Sequence, residues 1–302
     1  MVEKSSKVYL MIFMEKVLII GGSGLLGSKI CEIFPDAFAT YNITQISRKN
    51  TFKLDISDSD SLKFMLDKLD PDTIIVTAAL TDVDKCELNP EMAVKINTEP
   101  FRYIASYLKK KGGRLIQIST DYVFSGEKGN YIENDERNPV NVYGKTKMEA
   151  EDIIINSGIN YALIRTSGIF GINESTGKNN FFTWLYSNLR KGNEISLIID
   201  QFYSPVLNSV LAEAIHEIYE KEMDGIIHFS SLDAISRFEF GTLVADIFNL
   251  EKGNIHPTRM DNMPWKAKRP KNSSLNNDKA MKMVTKKPIT VSQELNIVRG
   301  LI

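Results

Sequence analysis

Two hydrophobic periods alternate along this chain. Dense apolar runs at 17–20 and 73–77 have the length of strands buried on both faces, and 37–42 and 114–119 read as further strands of the same sheet. Between them, apolar residues recur at helical spacing: Leu26, Ile30 and Phe34, stopped by Pro35, and then Leu62, Met65, Leu66 and Leu69. Residues 54–58 read as a short third strand, and 90–97 and 99–111 as helices. This regular alternation predicts an α/β fold, a doubly wound parallel sheet of the Rossmann type.

From about residue 171 the alternation loosens. A helix over 181–190, a strand over 194–199 and helices over 208–221 and 238–248 suggest a smaller C-terminal α+β lobe above the ligand edge of the sheet. The expected division is an N-terminal extension at 1–13, a dinucleotide-binding domain at 14–170, and a mainly substrate-binding lobe at 171–302 whose chain crosses back to the sheet.

Composition narrows the partners. The 302 residues, 43% hydrophobic and 25% charged, suffice for a full α/β core. Lys plus Arg (37) nearly balances Asp plus Glu (38) without a basic run, which argues against nucleic acid or an anionic membrane and for a small-molecule site. The apolar run at 8–13 is short for a signal peptide, no cleavage site follows it, and no stretch approaches a membrane span, so a cytoplasmic protein is expected. Cys31 and Cys86 form no CxxC, and His216, His228 and His256 lack ligand spacing; no metal site is expected.

The first strand runs into glycines at 21, 24 and 27. Gly21 can take backbone angles closed to other residues, Gly24 lets the main chain approach a pyrophosphate, and Gly27 lets the helix pack closely on its strand. The N–H groups and positive dipole end of that helix would face the phosphates. The second strand ends in Tyr41 and Asn42 rather than in an acidic residue, and Arg48 and Lys49 follow. That favours NADP(H), with NAD(H) as the alternative; two solvated loop charges are the competing explanation. The short strand at 54–58 ends in an Asp that can reach an adenine edge; a helix cap by Asp58 and Ser59 is the alternative. Small residues after the 73–77 strand, Ala78 and Ala79 before Leu80 and Thr81, leave room for a ribose or nicotinamide.

Further on, a strand ends in Ser119 and Thr120, and Tyr143 and Lys147 stand at the head of a predicted helix through 155. Four residues apart, Tyr143 and Lys147 share one helical face and can point into a single cleft. Hydride reduction of a ketone leaves an alkoxide, so the site needs a proton donor and a second group that fixes the carbonyl. Tyr143 would donate, with its phenol made more acidic by the Lys147 ammonium, and Thr120 would orient the carbonyl. An aromatic in the core beside a surface lysine is the bland alternative.

The ordered set GGSGLLG at 21–27, LDISD at 54–58, TAALTDVDKCELNPEMAVKIN ending at Asn97, ISTDYVFSG at 118–126, YGKTKMEAE from Tyr143, LIRTSGIFG at 163–171 and AKRPKNSSL at 267–275 resembles the extended short-chain dehydrogenase/reductases. Within them it resembles the dTDP-4-dehydrorhamnose reductase family, over almost all of 15–300. The resemblance implies reduction of a nucleotide-activated 4-keto-6-deoxy sugar, most simply dTDP-4-dehydro-L-rhamnose. It implies a catalytic Thr120, Tyr143 and Lys147. Cofactor contacts are implied for Gly21, Ser23, Gly24, Leu25, Leu26 and Gly27; for Asn42, Arg48, Asp55 and Ile56; and for Ala78, Ala79, Leu80, Asn97, Ser119, Tyr143 and Lys147. Thr81, Val83, Thr120, Asp121, Tyr143 and Arg269 would border the substrate, although Asp121 could equally shape the loop. Arg269, with Ser273, could help hold a diphosphate or simply form a loop salt bridge. A homodimer is compatible with all of this.

Two departures fall in the substrate half. Where the family pattern resembles RTSW this chain has Gly168, and where it resembles DQxGxPT this chain has Tyr203 and Val206. The regulatory β subunit of methionine adenosyltransferase resembles the same family. It offers a second reading, a non-catalytic NADP-binding subunit, beside that of another nucleotide-sugar reductase or epimerase.

Overall fold

The computed structural model describes residues 15–174, 176–177 and 179–302, so the extension expected at 1–13 lies outside the described residues. Strand β1 (Val17–Ile20) enters the glycine turn and helix α1 (Leu25–Ile33), followed by β2 (Phe38–Tyr41), β3 (Thr51–Lys53), α2 (Ser59–Leu69) and β4 (Thr73–Val76). Next come α3 (Val83–Leu88), α4 (Pro90–Asn97), α5 (Pro100–Lys111), β5 (Arg114–Thr120), α6 (Val142–Ile155) and β6 (Asn160–Thr166). The second half holds α7 (Phe181–Arg190), β7 (Ile195–Ile198), β8 (Phe202–Tyr203), α8 (Asn208–Glu220) and β9 (Gly225–His228). It closes with β10 (Ile235–Ser236), α9 (Arg237–Ile247), β11 (Ile255–Thr258), α10 (Asp278–Met283) and α11 (Val291–Arg299).

Seven parallel strands form one sheet in the order β3-β2-β1-β4-β5-β6-β9, the doubly wound arrangement the alternation predicts. The order reverses between β1 and β4, and ligands of such sheets bind at that switch point, beyond the carboxyl ends of the strands. The runs in β1 and β4 are buried at every position because helices cover both faces. On one face α1, α8 and α10 bury Leu26, Ile30, Leu211, Ile215 and Ala280. On the other, α2, α5 and α6 bury Leu62, Leu66, Phe101, Leu108, Ala150 and Ile154.

A third core lies apart from the sheet. There α7, β7, α9, β11 and α11 gather Phe182, Leu185, Leu197, Phe240, Val244, Ile255 and Leu295. The small sheets β8–β10 and β7–β11 belong to this lobe, whereas α8 and β9 return to the main sheet.

The third strand is displaced from its expected place. It occupies Thr51–Lys53, where Ala39 pairs with Thr51, and residues 54–58 form the turn into α2. Asp58 caps that helix, accepting from the amides of Asp60 and Ser61. β6 and the edge strand β9 had no counterpart in the periodic reading.

Candidate active site

Gly21 adopts φ +98° at the end of β1. A Cβ on Gly27 would stand 2.1 Å from the Gly21 carbonyl oxygen, so no other residue lets α1 start this close to its strand. The N-cap Gly24 has no side chain to satisfy the first-turn amides, and no acidic residue sits in that turn. These N–H groups and the positive helix end form a cradle of the size and sign a pyrophosphate requires. A dinucleotide cofactor therefore fits this turn. The Thr77 hydroxyl braces it from below, donating to the carbonyls of Ile20 and Gly21. Ser23 has its carbonyl fastened by Asn173 and Thr176.

Several expected cofactor contacts have other employment. Arg48 donates to the carbonyls of Cys31, Phe34, Pro35 and Ala37, so its terminal nitrogens close the C-terminal end of α1 rather than waiting for a 2′-phosphate. It still lines a cavity of about 330 Å³ beside Gly22, Ser28, Ile46 and Ser47. Lys49 and Asn42 are exposed. Asp55 turns back on itself, accepting from the Ser57 amide and hydroxyl, and Ile56 is buried in the core. Asn97 is buried and grips both the amide and the carbonyl of Leu80, with Thr146 as a third partner. Its amide thus fixes the Ala78–Ala79–Leu80 wall against α6 instead of reaching into it. Ser119 donates to Glu151 at 2.6 Å, which leaves its hydroxyl no proton to give a ligand.

The three residues expected to be catalytic converge where β5 meets α6. Thr120 ends β5, paired with Thr166 of β6, and its hydroxyl donates to Asp121 Oδ1 at 3.0 Å. Asn141 caps α6 by accepting from the Gly144 amide. A Cβ on Gly144 would lie 2.1 Å from the Tyr122 carbonyl oxygen, and this close approach brings Tyr143 beside Thr120. One turn on, Lys147 is 3% exposed and donates from Nζ to the Ile118 carbonyl at 2.7 Å.

Electrostatics here differ from expectation. Burial pushes the Tyr143 phenol up, against its hydrogen bond with Thr120 and with help from the Asp121 charge. Lys147 is not among the largest influences on this phenol. Burial pulls Lys147 itself down to about 8, opposed by the charge of Glu151. A phenol held above its usual range stays protonated at neutral pH, as a proton donor must.

Behind Lys147 lies a buried polar network. Glu151, fully buried, accepts from Arg165 Nε and Nη2 at 3.0 and 2.8 Å, from Arg137 at 3.0 Å and from Ser119. Arg165, 1% exposed, continues to His228 Nε2 at 3.2 Å and to the Glu133 carbonyl. Burial and the neighbouring Arg165 pull His228 down to about 3. Tyr143, Lys147 and Glu151 thus follow one stripe of α6, and β5, β6 and β9 hold its far end.

On the substrate side, Asp121 is 2% exposed and accepts from Thr120, Ser167 and Ser273. It shapes the loop, the second of its two expected roles, and burial raises its carboxyl above the ordinary value. Ser273 is committed to that bond. Arg269 forms the loop salt bridge, 3.1 Å from Asp84 of α3, and also donates to the Ala267 carbonyl. Thr81 is exposed and Val83 half-buried at the start of α3. Beyond them opens a cavity of about 370 Å³ lined by Trp265 and by five basic residues, Arg259, Lys266, Lys268, Arg269 and Lys271, against two acidic ones, Asp200 and Asp261. An anionic ligand suits that balance. Among the described residues, no group of three or more His, Cys, Asp or Glu could hold a metal, and no helix is long and apolar enough to cross a membrane.

Sequence reasoning missed Asn141, Gly144, Glu151, Arg165 and the basic cavity. Only Asn141, three residues before a buried helical amide, carried a local signal, that of an N-cap.

Residues 14–298 match the family described as RmlD substrate binding domain. The crystal structure of a hypothetical dTDP-4-dehydrorhamnose reductase from Sulfolobus tokodaii has a TM-score of 0.83 and 38% identity, covering 91% of this chain and 97% of that one. The dTDP-4-dehydrorhamnose reductase of Bacillus anthracis, solved in complex with NADP, has a TM-score of 0.84 and 26% identity, covering 96% of this chain and 100% of that one. Methionine adenosyltransferase 2 subunit beta of Danio rerio is 31% identical over 274 residues, 86% of this chain and 82% of its own length.

Proposed function

The chain belongs to the RmlD substrate binding domain family, and from that premise we propose that it is an NAD(P)H-dependent reductase of a nucleotide-activated 4-keto-6-deoxy sugar. dTDP-4-dehydro-L-rhamnose, giving dTDP-L-rhamnose, is the first substrate to test. The observation that carries this reading is the junction of β5 and α6, where Thr120, Tyr143 and Lys147 stand at the carboxyl edge of the sheet beyond the glycine turn. The basic cavity supports a nucleoside-diphosphate substrate. NADP(H) is the favoured cofactor, since the Bacillus anthracis relative holds NADP; NAD(H) is the alternative.

When bound, the cofactor supplies a hydride to the carbonyl carbon. The Tyr143 phenol, kept protonated by its burial, gives its proton to the oxygen that becomes the alcohol. Thr120 orients that oxygen. Lys147, anchored to the Ile118 carbonyl, holds the ribose side of the site and keeps a cation near the phenolate that forms. The C-terminal lobe and the loop over 259–271 enclose the rest of the substrate.

The test is NADPH and NADH oxidation against a panel of nucleotide 4-keto sugars. Wild type is expected to turn over at least one of them, and Tyr143→Phe to lose turnover while binding cofactor as before. Tight cofactor binding without turnover on any member would sink the reductase reading. It would favour the second one, a non-catalytic cofactor-binding subunit, which the likeness to methionine adenosyltransferase 2 subunit beta supports.

A further inference from the structure

Two of the residues that depart from the family pattern, Gly168 and Tyr203, lie against each other. Gly168 follows β6 with φ +43°, and a Cβ there would stand 2.5 and 2.6 Å from ring carbons of Tyr203. Any side chain at 168 would have to displace that ring. Tyr203 is 6% exposed, burial pushes its phenol up to about 12, and its hydroxyl has no hydrogen-bond partner among the described residues. The small sheet β8–β10 pairs Tyr203 with Ile235 and Phe202 with Ser236, so the next residue, Arg237, emerges beside the ring.

Arg237 differs from every other arginine of the site. Its guanidinium lies 4.9 Å from the Tyr203 ring centroid and 4.4 Å from that of Phe181. No carboxylate among the described residues pairs with it, whereas Arg165, Arg259 and Arg269 each have one. Rings over a guanidinium hold its orientation without neutralising it, and leave its in-plane N–H groups for a planar or tetrahedral oxyanion. The end of helix α9 does not compete for that anion, because Ser236 and Glu239 close it in a capping box.

Its position is that of a substrate contact. Phe202 is bonded through its carbonyl to the Ser273 amide, and the Ser273 hydroxyl is bonded to Asp121, next to Thr120. On the other side, the Phe202 amide joins the Lys271 carbonyl, at the rim of the basic cavity. Arg237, the first residue of α9, therefore lies beside β8, the short strand that links the Thr120 end of β5 to that cavity.

We propose that Arg237, held by the Tyr203 ring that Gly168 admits, binds the diphosphate of the substrate, the role the sequence pointed to in Arg269. This rests on the reading of the substrate as a nucleoside-diphosphate sugar. Arg269 is committed to Asp84 and anchors the cavity loop.

Calorimetric titration with dTDP, UDP and GDP and with the matching nucleosides tests it. For the nucleotide wild type binds best, Arg237→Gln is expected to weaken the diphosphate at least tenfold and leave the nucleoside unchanged. Arg237→Lys retains the charge but not the planar fork and is expected to fall between. Gly168→Ala, which forces the Tyr203 ring aside, is expected to weaken the diphosphate in the same direction. NADPH affinity, read by fluorescence, stays at the wild-type value in each variant and shows that it is folded. If wild type prefers the diphosphate and Arg237→Gln binds it within twofold of wild type, this inference is wrong and the reductase reading stands. If wild type binds no nucleoside diphosphate better than its nucleoside, the nucleotide-sugar reading fails and this inference with it.

Discussion

Glu151→Ala is expected to be the most destabilising single change behind the active site. The carboxylate accepts from four donors, two on Arg165, one on Arg137 and one on Ser119. Without it, Arg165 keeps only the His228 ring nitrogen and the Glu133 carbonyl, and at 1% exposure no solvent compensates its charge. His228, pulled down to about 3 by burial and by Arg165, is neutral and supplies no negative charge. Removing one partner of a buried ion pair costs about 3–5 kcal/mol. Against a total stability of about 5–15 kcal/mol, that is about a fifth or more of what holds the chain folded. Urea unfolding at neutral pH reads the loss directly. The double variant Glu151→Met with Arg165→Met should recover most of it, because an apolar pair of similar volume leaves no unpaired charge. A single variant within about 1 kcal/mol of wild type, or a double variant worse than the single, would refute the reasoning.

Three further changes probe other contacts. Arg48→Ala removes the donor to four carbonyls at the end of α1 and should cost about 2 kcal/mol while leaving the NADPH to NADH affinity ratio unchanged; a drop in that ratio would restore Arg48 as a 2′-phosphate contact. Gly144→Ala places a Cβ 2.1 Å from the Tyr122 carbonyl oxygen; it should lower kcat far more than it raises the Kd for NADPH, and unchanged kcat would show that α6 can move without consequence. Glu294 on α11 is fully buried, neither carboxyl oxygen has a well-formed hydrogen bond among the described residues, and burial, opposed by the Leu207 amide, raises its pKa well above 4.5. The folded protein therefore keeps a proton that the unfolded chain has lost above that pH, so stability declines as pH rises through the window. Glu294→Gln should flatten that decline and exceed wild type at pH 8 in urea unfolding; parallel pH profiles for the two proteins would contradict it.

What could be read from the sequence was local. The glycine turn and the Tyr143–Lys147 pair are legible because their geometry is set within one turn of helix or one strand end. Arg48, Asn97, Ser119 and Asp121 were the right kind of residue in the right region, yet each is committed elsewhere. Their partners lie far along the chain: Leu80 for Asn97, Glu151 for Ser119, Ser167 and Ser273 for Asp121. A buried polar group must be paired, but a periodic pattern does not disclose with what. Strand β3 shifted because pairing to β2 decides its register, not its own composition. β9, with the sequence GIIH, is too short for a period to register.

The inward face of α6 explains both the legibility and the precision of the site. Thr146, Lys147 and Glu151 are buried on it, so much of this helix's contact is polar and its sequence does not read as strongly amphipathic. Each contact is directional. Asn141 accepts from the Gly144 amide and donates to the Lys268 carbonyl, and Glu87 accepts from the Val142 amide. Thr98 donates to the Thr146 carbonyl, Lys147 to Ile118, and Glu151 receives Ser119 and Arg165. Apolar packing alone tolerates small rotations and repacking, whereas hydrogen bonds weaken steeply with angle. A helix fixed by so many of them at both ends has one rotation about its axis. That rotation puts Tyr143 against Thr120. The same Asn141 that starts the helix also fastens the loop carrying Lys268, which lines the basic cavity. Asn141 therefore ties Tyr143, the proposed proton donor, to the wall of the anion cavity.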